Sequence, residues 1–164
     1  RRNASYTTDE NGIASLEQMA PFAPNRMSID SSSLPDFYLQ PADKVVSVIA
    51  RPGIVGTVDM PVYQLGEIAG TVVLKQNGES KILDGAPIVL RNEDGKNLGD
   101  LESEFDGFFV FPSLRMGTYT LTIPQDYLEQ YGIKEPIKTV VDLAADQSIV
   151  DDVTLEVAVE AQTN

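Results

Sequence analysis

The sequence predicts an all-β protein: an antiparallel β-sandwich with an additional β-rich segment on its N-terminal side. Three observations predict it. Short runs of Val, Ile, Thr, Tyr and Phe recur along the 164 residues, separated by Gly, Asn, Asp and Pro. The breaks carry turn chemistry, as at Asn77-Gly78, Asn92-Glu93-Asp94-Gly95 and Asp106-Gly107. Helical periodicity is confined to one short stretch, residues 125–131.

In chain order, the first part offers strands at 4–8, 13–18, 26–29, 44–50 and 54–60. The segments 21–24 and 30–35 are rich in Pro and Ser and read as loops. Arg51-Pro52-Gly53 reads as a turn, Pro fixing φ and Gly supplying the permissive position. From Ile68 the pattern becomes regular, with strands at 68–74, 87–91, 98–103, 108–111 and 118–123. The helical stretch 125–131 is ended by Gly132, and strands follow at Ile137–Leu143 and Ile149–Val159. The tail 161–164 is expected to fray. Two parts are therefore expected, 1–65 as the β-rich segment and 66–160 as the sandwich.

Composition narrows the chemistry. There is no Cys, so disulfides and thiolate metal sites are excluded. There is no His, which removes the commonest general base and the commonest transition-metal ligand. Ser-His-Asp and Cys-His catalysis are thus impossible, no phosphate-cradling Gly-rich loop is present, and no pair of carboxylates is placed across a cleft. A non-catalytic protein without a cofactor is expected. With 25 acidic and 12 basic residues the formal charge is −13, making nucleic acid and anionic lipid poor partners. No stretch approaches the roughly 18 consecutive apolar residues of a membrane-spanning helix, so direct membrane insertion is not expected. Arg1-Arg2-Asn3 leads straight into a polar strand pattern without a signal peptide, which reads as a cut within a longer protein.

A weak internal echo links Thr8-Asp9-Glu10-Asn11-Gly12-Ile13-Ala14 with Glu104-Phe105-Asp106-Gly107-Phe108-Phe109. It suggests one hairpin type used twice, or two turns that converge because Asp/Asn-Gly suits that place.

Four stretches carry a first resemblance. They are Ile68-Ala69-Gly70-Thr71-Val72, then Leu83-Asp84-Gly85-Ala86-Pro87-Ile88-Val89-Leu90, then Asp106-Gly107-Phe108-Phe109-Val110-Phe111, then Leu114-Arg115-Met116-Gly117-Thr118-Tyr119. Together they resemble the carboxypeptidase-regulatory-like module, a transthyretin-like β-sandwich similar also to the B-type repeats of bacterial surface proteins. The resemblance implies a fold and leaves function open.

The first part carries a second resemblance. Thr8-Asp9-Glu10-Asn11-Gly12-Ile13-Ala14 is followed by Pro24-Asn25-Arg26-Met27-Ser28-Ile29-Asp30 and Leu34-Pro35, and then by Val46-Ser47-Val48-Ile49-Ala50-Arg51-Pro52-Gly53. This order is similar to the C-terminal portion of outer-membrane fimbrial ushers. The chain departs from that pattern at Ile13, where a Tyr is usual, in lacking a cysteine pair, and in its longer region after Ile123. These departures suggest a divergent usher branch or an usher-like surface protein. The resemblance implies a protein-interaction domain at the periplasmic face of the outer membrane, binding chaperone–pilus subunit complexes. The alternative is a structural or adhesive module at the bacterial cell surface. An accessory domain of a peptidase is a third reading, carried only by the first resemblance.

Remaining candidates stand beside plainer explanations. The acidic stretches at 9–12, 92–95 and 100–106 offer oxygen ligands of the kind calcium prefers, although solvated hairpin turns explain them without an ion. Asp151 and Asp152 are neighbours in a strand, where alternate residues face opposite ways, so one shared site is not expected. Lys75 with Asp152 is the best pair for the intramolecular isopeptide bond that the B-type resemblance implies; an uncross-linked surface Lys is the simpler reading. Phe22, Phe37, Tyr38 and Tyr63 lie in or beside loops, and Tyr127 and Tyr131 flank the short helix. They are candidates for partner binding or for closing the ends of the sandwich.

Overall fold

The computed structural model describes residues 4–159. The expected character of Arg1-Arg2-Asn3 and the expected fraying of 161–164 lie outside the described residues. The strands of the first half are β1 (Pro24–Met27), β2 (Leu39–Pro41), β3 (Val46–Ile49), β4 (Val62–Gln76) and β5 (Glu79–Ile82). Those of the second half are β6 (Pro87–Asn92), β7 (Asn97–Glu102), β8 (Phe108–Arg115), β9 (Gly117–Ile123), β10 (Ile137–Leu143) and β11 (Ile149–Val159), with one helix, α1 (Gln125–Glu129), after β9. The chain divides into two units, Arg1–Pro35 with Pro41–Val62, and Asp36–Gln40 with Tyr63–Asn164.

In the first unit β1 and β3 pair antiparallel, Pro24 opposite Ile49 and Met27 opposite Val46. Asn25 ties the preceding loop to them: its amide donates to the carbonyls of Ala20 (2.9 Å) and Ala23 (3.0 Å) and its Oδ1 accepts the Ala20 N–H (2.9 Å). The expected strands at 4–8, 13–18 and 54–60 do not form. Strand propensity there finds no neighbouring strand to complete a ladder, and Val55 stands 99% exposed. What does form at 9–13 is a turn, and the same one recurs twice in the second unit. Asp9, Asn92 and Glu104 each accept at their carbonyl from the glycine three residues on and donate their N–H to the carbonyl four residues on. The glycines, Gly12, Gly95 and Gly107, have φ of 76°, 77° and 75°. This is a type I turn closed by a left-handed residue, for which Gly is the low-cost choice. Shared turn chemistry accounts for the internal echo.

The second unit is a two-sheet sandwich. One sheet has the order β10-β9-β6-β7, all antiparallel. The other is built on β4, which pairs with β8 and then β5 along its length and carries β11 and β2 as further neighbours. The β11–β4 pairing is parallel, which departs from the expected antiparallel arrangement. The cause is the connection: β10 ends in a tight turn, bridged between Ala144 and Gln147, that passes the chain into the other sheet running in β4's own direction.

β4 extends beyond the expected 68–74 because both of its ends find partners: Leu65 and Gly66 pair with Arg115 and Leu114 of β8, and Lys75 and Gln76 with Ser80 and Glu79 of β5, while two glycines admit close neighbours. A Cβ at Gly70 would overlap the Val153 carbonyl, and one at Gly66 would overlap the Ser148 carbonyl. At Gly70 the crowding comes from a bulge in β11, where the register shifts between Val150 and Val153. Inward residues alternate along each strand. Ile68, Val72, Ile88, Leu90, Phe109, Leu121, Leu155 and Val157 are essentially buried. Leu128 of α1 caps the core at the end where β4 finishes. At that same end Ser103 holds the crossover between sheets. Its hydroxyl donates to the Leu83 carbonyl (2.7 Å) and accepts the Ala86 N–H (2.9 Å).

Candidate interaction surface

The opposite end of the sandwich is where β4 begins. There the β8–β9 corner is fixed by Tyr119, whose hydroxyl donates to the Arg115 carbonyl at 2.7 Å. A tyrosine binding back to the backbone a few residues upstream is a known way of locking a sandwich corner. Burial raises the Tyr119 hydroxyl pKa, with Arg115 opposing it, so the group stays a neutral donor. Ser113, just before the corner, has φ 59°, a conformation uncommon outside glycine.

Arg115 faces Leu65 across the β4–β8 ladder, and its guanidinium carbon lies 4.3 Å from the centroid of the Tyr63 ring. That is a cation–π distance. Leu65 donates its N–H to the Tyr38 carbonyl (2.8 Å), which brings the Phe37-Tyr38 loop to the start of β4. Asp36 shapes that loop by accepting the Tyr38 N–H at its side chain (2.9 Å) and the Leu39 N–H at its carbonyl (3.1 Å). Phe37 is consequently held outward, 84% exposed, with its ring centroid 4.2 Å from that of Tyr38. Beside this corner lies a groove of about 390 Å³, walled by Leu98, Leu114, Met116 and Tyr119 and edged by Asn92 and Glu93.

Three of the four aromatics singled out from the sequence, Phe37, Tyr38 and Tyr63, thus belong to one unit and flank one strand start. Phe22 belongs to the other unit, where it is 74% exposed with φ 57° and donates its N–H to Ala50 (2.9 Å). Tyr127 and Tyr131 sit at the far end, ring centroids 5.6 Å apart, packed partly against the core. Burial, with help from Tyr131, pushes the Tyr127 hydroxyl pKa well up. These two close the sandwich. Sequence reading missed Arg115; the available signal was a basic residue in a corner turn of a strongly acidic chain.

The other candidates resolve by geometry. Asp9 Oδ1 accepts the N–H of Asn11 and Ile13 (each 2.9 Å), Asn92 Oδ1 that of Lys96 (2.8 Å) and Asp106 Oδ1 that of Phe108 (3.1 Å). These oxygens bind their own turns. Asp151 and Asp152 are both exposed, because the bulge suspends strand alternation between Val150 and Val153. Lys75 lies opposite Ala158, six residues or about 20 Å along the strand from Asp152. Its ammonium meets both carboxylate oxygens of the half-exposed Glu156, at 2.9 and 3.1 Å, so this register forbids a Lys75–Asp152 bond.

No protein-family model matches the chain, and no curated protein sequence matches it. Among solved structures it is similar to the minor pilin GBS52 of Streptococcus agalactiae, at 16% identity and a TM-score of 0.48, over 97% of this chain and 69% of that one. The major pilin subunit BcpA of Bacillus cereus aligns at 19% identity and a TM-score of 0.43, over 59% of this chain and 31% of that one. The 5-hydroxyisourate hydrolase of Klebsiella pneumoniae aligns at 15% identity and a TM-score of 0.42, over 59% and 93%. At such identities and scores the likeness says nothing of activity or partner.

Proposed function

We propose that this chain is a non-catalytic β-sandwich module of the bacterial envelope that works by protein–protein contact. The observation that carries this is the exposed Phe37, Tyr63 and Arg115, with the half-buried Tyr38, around one strand start, beside a mostly apolar groove. Aromatic residues and Arg are the side chains that dominate binding energy at protein interfaces. A chain without His or Cys is poorly equipped for the common catalytic mechanisms.

In its finer form the module serves an outer-membrane usher at the periplasmic face, receiving chaperone–pilus subunit complexes. The order of motifs in the first unit supports this reading. So does their pairing, since Pro24–Met27 and Val46–Ile49, drawn from separate motifs, form one ladder. The coarser form, a structural or adhesive surface module, needs only the sandwich and its aromatic end.

The test is capture of purified periplasmic chaperone–pilus subunit complexes by the immobilised chain. Binding that is lost in a Phe37→Ala, Tyr63→Ala double variant is expected. No binding at about 100 μM, where even weak specific complexes form, would sink the usher reading.

A further inference from the structure

We infer that the free edge of β10 is a self-association surface, pairing antiparallel with β10 of a second copy about a two-fold axis through Val140. β10 pairs with β9 over seven residues without a register shift and contains neither Pro nor Gly. Such an edge is a template for another strand unless something blunts it. The sandwich's other edges among the described residues are blunted. In β7, Asn97 Oδ1 already takes the Gly99 N–H (2.9 Å). β8 is interrupted by Pro112 and by Ser113 at φ 59°. β11 carries the bulge with Asp151 and Asp152. β5 and β2 are only four and three residues long.

The sequence of β10 is complementary to itself. Antiparallel pairing centred on Val140 places Lys138 of each copy opposite Asp142 of the other. It sets Val140 against Val140, Thr139 against Val141 and Ile137 against Leu143. Lys138, Val140 and Asp142 are all exposed and share the outer face, Val140 at 63%. Opposite charges and apolar pairs directly across an antiparallel ladder are each stabilising. The charges of β7 (Asp100, Glu102) and β11 (Asp151, Asp152, Glu156) are all acidic, so neither can meet itself in this way. Next to β10, a groove of about 460 Å³ is lined by residues of β10 and β11, among them the buried Val141 and Val153 and the exposed Asp142 and Asp152, with no basic residue lining it. The second copy's Lys138 supplies that charge. A two-fold arrangement doubles every contact and every substitution, and would join two four-stranded sheets into one.

The experiment is sedimentation velocity on the full chain at about 0.15 M ionic strength, where charges more than about 8 Å apart are screened. A concentration-dependent monomer–dimer equilibrium is expected. Asp142→Lys sets Lys against Lys at two symmetric places and is expected to weaken the dimer by about tenfold or more. Combining it with Lys138→Asp restores the opposite-charge pairs and with them the dimer. All substitutions are on exposed side chains, and far-UV circular dichroism checks that each variant keeps its fold. A chain that stays monomeric to about 1 mM would overturn the inference. So would a dimer indifferent to Asp142→Lys, or a double variant that remains as weak as the single one.

Discussion

At the scale of single residues, the polar groups that matter are those that hold corners. Ser103 is 4% exposed and satisfies two backbone groups of the crossover loop. Ser103→Ala leaves a buried N–H and a buried carbonyl without that partner, and should cost roughly 1–3 kcal/mol in urea unfolding. Tyr119→Phe removes one hydrogen bond while keeping the buried ring, for an expected loss of about 1 kcal/mol by the same measurement. Asp9 and Asp30 provide a pH test. The Ile13 N–H, joined by that of Asn11, holds the Asp9 carboxyl below the ordinary value of 3.8. The Ser32 hydroxyl and N–H do the same for Asp30. A lowered folded pKa means stabilisation that is present above the unfolded value and lost as pH falls through the folded one. Carbon-detected NMR titration should therefore give both carboxyls midpoints below 3.8; midpoints at or above it would mean that these turns do not hold the carboxylates.

At the scale of elements, close approach decides the shape of β4. Gly70→Ala puts a methyl group against the Val153 carbonyl at the bulge. It should destabilise the sandwich by roughly 1–3 kcal/mol, read as a lower midpoint in thermal or chemical unfolding. Sequence pattern made β6, β7, β9, β10 and β11 legible, because each is a short run rich in strand-forming residues bounded by turn signals, with clean apolar–polar alternation in β9. β5 escaped notice since Glu79-Ser80-Lys81-Ile82 is wholly exposed and is a strand only by pairing with β4. The length of β4 escaped because its glycines lower strand propensity while permitting the contacts that make the strand. Conversely, the strands expected at 13–18 and 54–60 had the right residues and no ladder to join. The aromatic end was half legible. Phe37, Tyr38 and Tyr63 stood out as loop aromatics, but that they flank one strand start depends on a Tyr38–Leu65 hydrogen bond that no local pattern encodes.

At the scale of the molecule, a formal charge of −13 means that folding gathers like charges. The melting temperature should therefore rise as salt is raised from about 10 mM to about 150 mM, the range over which the Debye length shortens from about 30 Å to about 8 Å. A flat or falling melting temperature would show that local pairing outweighs the net repulsion. The parallel union of β4 with β11 has a consequence in time. Lys75 and Glu156, which meet across that ladder, are 81 residues apart in sequence. A chain emerging from its N-terminus, from a ribosome or through a translocation pore, must hold β4 with one flank waiting while everything between is made. Hairpins such as β6–β7 can zip early, but this sheet closes last. The sandwich should accordingly fold slowly for its size, with a loop-closure delay that a chaperone could exploit and that a chain cut before β11 would never escape.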